Sequence, residues 1–227
     1  MKTEPSTPAD TRTMGIVHRA LRRDLTRASD ALKGPPVPGD SQRAAIAQHV
    51  QAMMDFLNVH HSGEDAWLWP TMRRLNPSAT ELLDQMEDDH LAIVPHMEKV
   101  TSVAAAYEKS AAGREALVSA LSDLRASLDP HLRREEDDMM PIVATTLTAP
   151  QWDDWEQEYY LKSKSKSELG MEGHWLIDGA DRPVYDHVVG KVNPVLRFVL
   201  LRYFGPKYRR AAASRWGAGV LVGPKLD

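Results

Sequence analysis

Apolar residues recur along the first two thirds of the chain at spacings of three and four, the period of a helix with one buried face. Val17, Leu21, Leu25, Ala28 and Leu32 form the first row and predict a helix from near Thr11 or Thr13 to Lys33. The run GPPVPG, Gly34 to Gly39, breaks it. A second helix, capped by Asp40 or Ser41, carries Ile46, Val50, Met53, Met54, Leu57 and Leu68. Asn76, Pro77 and Ser78 close it, and Ser78 with Glu81 predicts a capping box for a third helix. That helix presents Leu82, Met86, Ile93 or Val94, and Met97, with a kink expected at Pro95. After Gly113 a fourth row runs through Leu117, Leu121, Leu124, Leu128 and Met139, with Pro130 expected to bend or interrupt it.

Beyond residue 147 the pattern weakens. Thr148 to Gln151 reads as a capped start for an amphipathic helix through Trp152, Trp155, Tyr159 and Leu161, fading into KSKSKS. GHWLIDG, Gly173 to Gly179, reads as an apolar, turn-rich insert. Short helices are expected after Pro183 and after Asn193-Pro194, the second ending at Gly205-Pro206. These elements predict an all-α protein: a disordered stretch over residues 1–10, an up-down four-helix bundle over 11–147, and a helical, C-terminally basic extension over 148–227 packed on the bundle.

The polar residues on the inner faces are not random. HHSGEDAWLWP, His60 to Pro70, returns 71 residues later as HLRREEDDMMP, His131 to Pro141. Each copy sets a histidine and a glutamate four apart, on one side of a helix: His60 with Glu64 and His131 with Glu135. One helix upstream of each lies another histidine, His18 before His60 and His90 before His131. Two tandem helical hairpins would thus bring four histidines and two glutamates into one interior. Six such groups buried without a counter-ion would cost several kcal/mol in unsatisfied polar atoms and charge, about what a bound metal resolves.

Composition narrows the chemistry. Cysteine is absent, so no disulfide, thiolate site or iron–sulfur cluster is available and any metal must be held by nitrogen and oxygen. The net charge of −4 gives no footprint for nucleic-acid binding. The longest apolar stretch, Val195 to Phe204, carries Arg197 and Arg202 and is too short for a membrane span, and the N-terminus lacks an apolar signal core, so a cytoplasmic protein is expected. Residues 1–149 hold 16 Lys and Arg against 22 Asp and Glu, whereas residues 190–227 hold 8 against 1. That basic tail is expected to pack on the acidic bundle, with a peripheral membrane role as the lesser reading.

His18, the H-H-x-x-E-D-x-x-L-W-P stretch at His60 to Pro70, the Asp89-His90 pair, and H-L-x-x-E-E-D-x-M-x-P at His131 to Pro141 together resemble the hemerythrin-like, or HHE cation-binding, domains. The resemblance spans roughly residues 14–147. It implies a bundle around a non-haem di-iron centre, oxo- or hydroxo-bridged, with His18, His60, Glu64, His90, His131 and Glu135 as ligands and both glutamates bridging. It also implies a small oxidant as partner: dioxygen, peroxide or nitric oxide. The oxygen carriers of that family have a further histidine one turn after the one matched by His90, where this chain has Val94, and their last bridging acid would correspond to Glu136. Glu87 is the leading substitute for the missing ligand, ahead of His61 and His96. His61 is expected on the helix surface or behind the ligands, because His60 already occupies the inward direction. Trp67, Trp69, Phe56 and the methionines read as core, and His174 and His187 as packing or surface residues.

The expected activity is binding and reduction of the small oxidant. Two alternatives are a metal-dependent regulatory or sensor module, and an oxygenase acting on an organic substrate held between bundle and extension near Trp152, Trp155, Tyr159, Tyr160 and Trp175. A deep apolar pocket joining the centre to the extension would favour the oxygenase, and a narrow channel the small oxidants.

Overall fold

The computed structural model describes residues 7–217, 220 and 222–225, and these are helical throughout apart from turns and an isolated antiparallel bridge between Pro8 and Thr148. Four rods form the body. The first is α1, Arg12–Lys33. The second joins α2, Asp40–Gly63, to α3, Trp69–Leu75, through a π-helical turn at Glu64–Leu68. The third is α4, Thr80–Lys109. The fourth joins α5, Arg114–Arg134, to α6, Met140–Thr146, through a second π-helical turn at Glu135–Met139. α2 packs on α4, α4 on α5, α5 on α1 and α1 on α2, which closes a ring around a common interior.

The apolar rows read from the sequence are the faces that close this interior: Leu21, Leu25, Ile46, Val50, Leu57, Met86, Leu121, Leu124, Leu128 and Met139 are all shut off from solvent. They fall into two clusters. One holds Leu21, Leu57, Ile93, Leu128 and Leu132, the other Met14, Leu68, Met86 and Met139. Between them, on every rod, lie the histidines and glutamates of the repeat. A polar layer is thereby sealed at both ends by hydrocarbon.

The extension follows as α7, Ala149–Glu156; α8, Lys166–Ile177; α9, Arg182–Gly190; α10, Pro194–Val199; and α11, Gly205–Trp216. α11 lies along α2 and buries Tyr208, Ala212 and Trp216, leaving Arg209 and Arg210 outside. Three arginines at successive turns of α1 hold the rest. Arg19 and Arg23 donate to the carbonyl of Asp178, Arg23 also to that of Trp175 at 3.0 Å, and Arg27 pairs with the Asp178 carboxylate. Asp24, fully buried, accepts from the Trp175 indole at 3.1 Å and from His49 Nε2 at 2.8 Å, and Tyr208 donates to Asp178 at 3.1 Å.

Several local expectations are corrected. Residues 7–10 are not loose: Ala9 N–H donates to Leu147 and Ala149 N–H to Thr7, while residues 1–6 lie outside the described part. Asp40 lies in the first turn of α2 rather than capping it, and Ser78 bonds Asn76 while α4 starts from Ala79 without a side-chain cap. Helix hydrogen bonding runs on past Pro130 to Arg134: the proline removes one donor, and the turns on either side keep theirs. Gly173 to Ile177 belongs to α8, whose capping box starts at Ser165 inside the polar KSKSKS run and closes on Glu168 just after it, so the helix starts earlier than its apolar residues. Gly205-Pro206 opens α11 instead of ending a helix, since proline in a first turn lacks only a donor that would be unpaired anyway. The Thr148–Gln151 capping box and the cap at Asn193 form as expected, and the helix expected after Pro183 starts at Arg182 with Asp181 as its cap.

Candidate metal centre

The two copies of the repeat build the centre by the same rule. Glu64 turns one carboxylate oxygen to His60 of its own rod, at 3.2 Å from Nε2, and the other to His90 across the interior, at 3.4 Å. Glu135 faces His131 of its own rod at 3.8 Å and His18 across the interior at 3.3 Å. The acid following each glutamate does the same second job in both copies. Asp65 bonds His90 Nδ1 at 2.7 Å, and Glu136 bonds His18 Nδ1 at 2.8 Å. Each fixes an outer ring nitrogen and so aims the inner one at the centre. Asp89 lies 3.4 Å from His131 Nδ1 and is itself held by Arg134.

Both π-helical turns begin at the inner glutamate and end two residues before the proline, Pro70 or Pro141. The proline has no N–H to give the ordinary four-residue pattern, and the wider turn carries the ladder across: Trp69 N–H donates to Glu64 and Met140 N–H to Glu135, five residues back. On the first rod the extension uses the backbone there. Trp155 donates to the Gly63 carbonyl at 3.0 Å and Tyr160 to the His60 carbonyl at 3.1 Å. Glycine at 63 leaves room for this contact, since a Cβ there would stand 2.9 Å from the Tyr160 oxygen and 3.2 Å from Tyr159 Cβ and would make the tyrosines shift.

His61 is not on the helix surface, one of the two places expected for it. It is buried, and with His90 and His131 it forms a trio whose ligand atoms lie within 4.8 Å of one another; His18, His60 and Glu135 form a second such trio. Residues 60, 61 and 64 of a helix span an arc of only about 100°, which fits within a buried face, so His60 does not exclude its neighbour. The repeat carried the missed signal: His61 matches Leu132, a core leucine, so both positions face inward. Val94 is 42% exposed, so its side of α4 faces away from the centre, and the extra imidazole comes from α2 instead. Glu87 also points away, paired with Arg73 at 2.8 Å. Glu136 supports His18 from behind, and His96 is half-buried outside both trios.

The electrostatics fit a bound cation. Both oxygens of Glu64 and of Glu135, and Nε2 of His61, His90 and His131, are buried without a hydrogen-bond partner among the described residues. Burial, and then the Glu135 carboxylate beside it, push Glu64 well above the usual glutamate range. Burial opposes the charge on Glu135 as well, but His18, His131 and His60 outweigh it and bring that group down to about 2. Burial holds His60 down to about 3, His131 to about 4, and His61 well below the ordinary value. Burial thus leaves His60, His61 and His131 as neutral imidazoles beside the ionised Glu135 carboxylate, the protonation states that metal binding needs, whereas Glu135 and Glu136 raise His18, which has a proton to give up.

The family model for the hemerythrin HHE cation-binding domain matches residues 10–143. The chain belongs to this family. No curated protein and no solved structure matches it. The hemerythrin HHE match covers the four rods and the whole polar layer, and the helices from α7 onward lie outside it. Family membership makes this a cation-binding helical domain, and the two trios are where the chain gathers donors for a cation. Among the described residues no helix is long and apolar enough to cross a membrane.

Proposed function

We propose that the chain is a non-haem di-iron protein that binds and reduces a small oxidant: peroxide, dioxygen or nitric oxide. It would do so in an up-down bundle over residues 11–147 that carries residues 148–227 as an extension. The observation that carries this reading is the division of the buried donors into two adjacent trios with a glutamate facing across between them. His18, His60 and Glu135 would hold one iron, and His61, His90 and His131 the other. Glu64 and Glu135 would bridge. A nitrogen- and oxygen-only donor set suits iron, and the family is a cation-binding one.

When bound, an iron pair supplies electrons and Lewis acidity to a small oxidant. The chain's own contribution is to keep His60, His61 and His131 unprotonated by burial, to orient His18 and His90 through Glu136 and Asp65, and to exclude bulk water with the two apolar clusters. Metal analysis of freshly purified protein, with a visible spectrum before and after hydrogen peroxide, tests the reading. About two irons per chain and a band that changes with peroxide are expected from two three-donor sites. Zinc or no metal with a featureless spectrum would overturn it in favour of a regulatory module.

A further inference from the structure

A cavity of about 320 Å³ lies between the bundle and the extension, and its innermost wall includes His60. Val17 of α1 and Phe56 of α2 line the bundle side; Trp155, Leu176, Leu196 and Leu200 line the side built by the extension. Phe56 and Tyr160 flank the His60 ring, with centroids 6.2 and 5.9 Å away. The walls are almost wholly apolar, so water inside finds few of the two to four polar partners that would hold it, and the volume reaches the range of small-molecule pockets, about 300–1,000 Å³.

The charged residues at the edge are unevenly matched. Lys191 is neutralised by Glu156 at 2.7 Å, and Glu172 by Lys164 at 2.6 Å. Lys166 and Arg197 also line the cavity, reach solvent, and have no ion-pair partner among the described residues. An apolar chamber with a buried imidazole inside and two uncompensated cations at its solvent side has the polarity of a site for an amphipathic anion.

We infer that this cavity binds an elongated apolar molecule with one anionic headgroup, of the medium-chain carboxylate type, its head at Lys166 and Arg197 and its apolar end toward His60. The inference stands on the cavity walls and not on the metal reading. It also gives the extension a task that the four rods alone do not need: to enclose an organic ligand beside the centre.

Gly173 supplies a clean perturbation. It lines the cavity on α8, and a Cβ there meets no atom within 4 Å, so the Gly173→Leu side chain starts from open space and adds bulk at the cavity wall. Calorimetric titration of the full-length protein with dodecanoate and with dodecanol, on wild type, Gly173→Leu and Arg197→Glu, tests the proposal. Saturable binding of dodecanoate at one per chain is expected, weakened at least about tenfold by Gly173→Leu. Arg197→Glu should weaken dodecanoate by roughly tenfold and leave dodecanol unchanged. Absence of saturable binding to wild type overturns the proposal, as does equal affinity in a folded Gly173→Leu protein; if that variant does not fold, dodecanoate binding indifferent to Arg197→Glu overturns the headgroup assignment and with it the proposal. Iron measured on the same samples separates the two readings. Iron-free protein that binds dodecanoate keeps this inference and sinks the di-iron one, and iron-loaded protein that ignores dodecanoate does the reverse.

Discussion

His61 lies face to face with His90, their ring centroids 4.0 Å apart and their planes 12° from parallel. The two rings come from different rods, and neither Nε2 has a hydrogen-bond partner among the described residues. Since burial pushes His61 well below its ordinary value, the pair is not held together by a shared proton. The contact makes sense if both rings direct lone pairs at one cation, with His131 as the third donor.

If that is so, His61→Leu should remove one metal and spare the other. The expected result is a drop in iron from about two to about one per chain, with the helix content unchanged, because the matching position Leu132 shows that leucine suits this depth of the bundle. Full metal loading in the variant would return His61 to a supporting role.

Glu64 gives a test in which the sign changes with metal. In the metal-free chain two carboxylates, Glu64 and Glu135, share one dry layer, and Glu64→Gln removes one of them. At pH 8 the metal-free variant should be more stable than wild type by about 1–3 kcal/mol, whereas with metal present it should bind less iron and melt lower. Thermal denaturation with and without chelator reads both. A loss of stability in both conditions would mean that Glu64 has another buried partner.

The convergence of the six expected residues on one buried layer was legible because a helix converts sequence spacing directly into direction, for positions four apart and repeated 71 residues on. The positions misjudged were those where direction depends on more than spacing. His61 was hidden by treating the inward face as one residue wide. The π-helical turns were hidden because periodicity at 3.6 cannot show a local widening, although a proline six residues after each glutamate marked both. In the extension, α8 buries only Gly170, Trp175 and Ile177, so the sequence held no sustained apolar row, and its start lay in a capping box amid lysines and serines. The arginine row at 19, 23 and 27 was likewise invisible as a docking surface, since its partners are carbonyls and a distant carboxylate.

Asp24 ties the extension to the bundle by accepting from the Trp175 indole, while its charge is matched on the bundle by Arg23 and His49. Burial works against its ionised form, but His49 and Arg23 beside it keep it below the usual aspartate range. Asp24→Ala leaves His49 and the Trp175 indole without their acceptor and takes the buried carboxylate from Arg23, which keeps only its carbonyl partners, a loss of about 3–5 kcal/mol and on the order of 10 °C in Tm. Limited proteolysis should then cut first between residues 160 and 180. Because the folded pKa is depressed, this stabilisation is present above the unfolded aspartate value of about 4 and fades as pH falls below it. A variant that melts with wild type at pH 7 would show that the latch lies elsewhere.

The protonation states of the polar layer set a pH dependence that metal should erase. Glu64 is raised, so in the metal-free chain its contribution is present below the ordinary glutamate value of about 4.3 and is lost as pH climbs through its folded value. His18 has the same sign: burial opposes its charge, but Glu135 and Glu136 raise it, and its contribution is lost on the alkaline side. His60 and His131, held down to about 3 and about 4, act in the other direction: the unfolded chain takes up their protons first, and stability falls as pH drops below 6.5. On the proposed reading a bound cation would replace the proton at His18 and neutralise Glu64, which would cancel the alkaline losses and leave the acid ones, where protons compete with metal for the imidazoles. The gap in Tm between metal-loaded and metal-free protein should therefore be wider at pH 8 than at pH 6. A gap that is equal at both, or wider at pH 6, would show that the metal does not sit between Glu64 and His18.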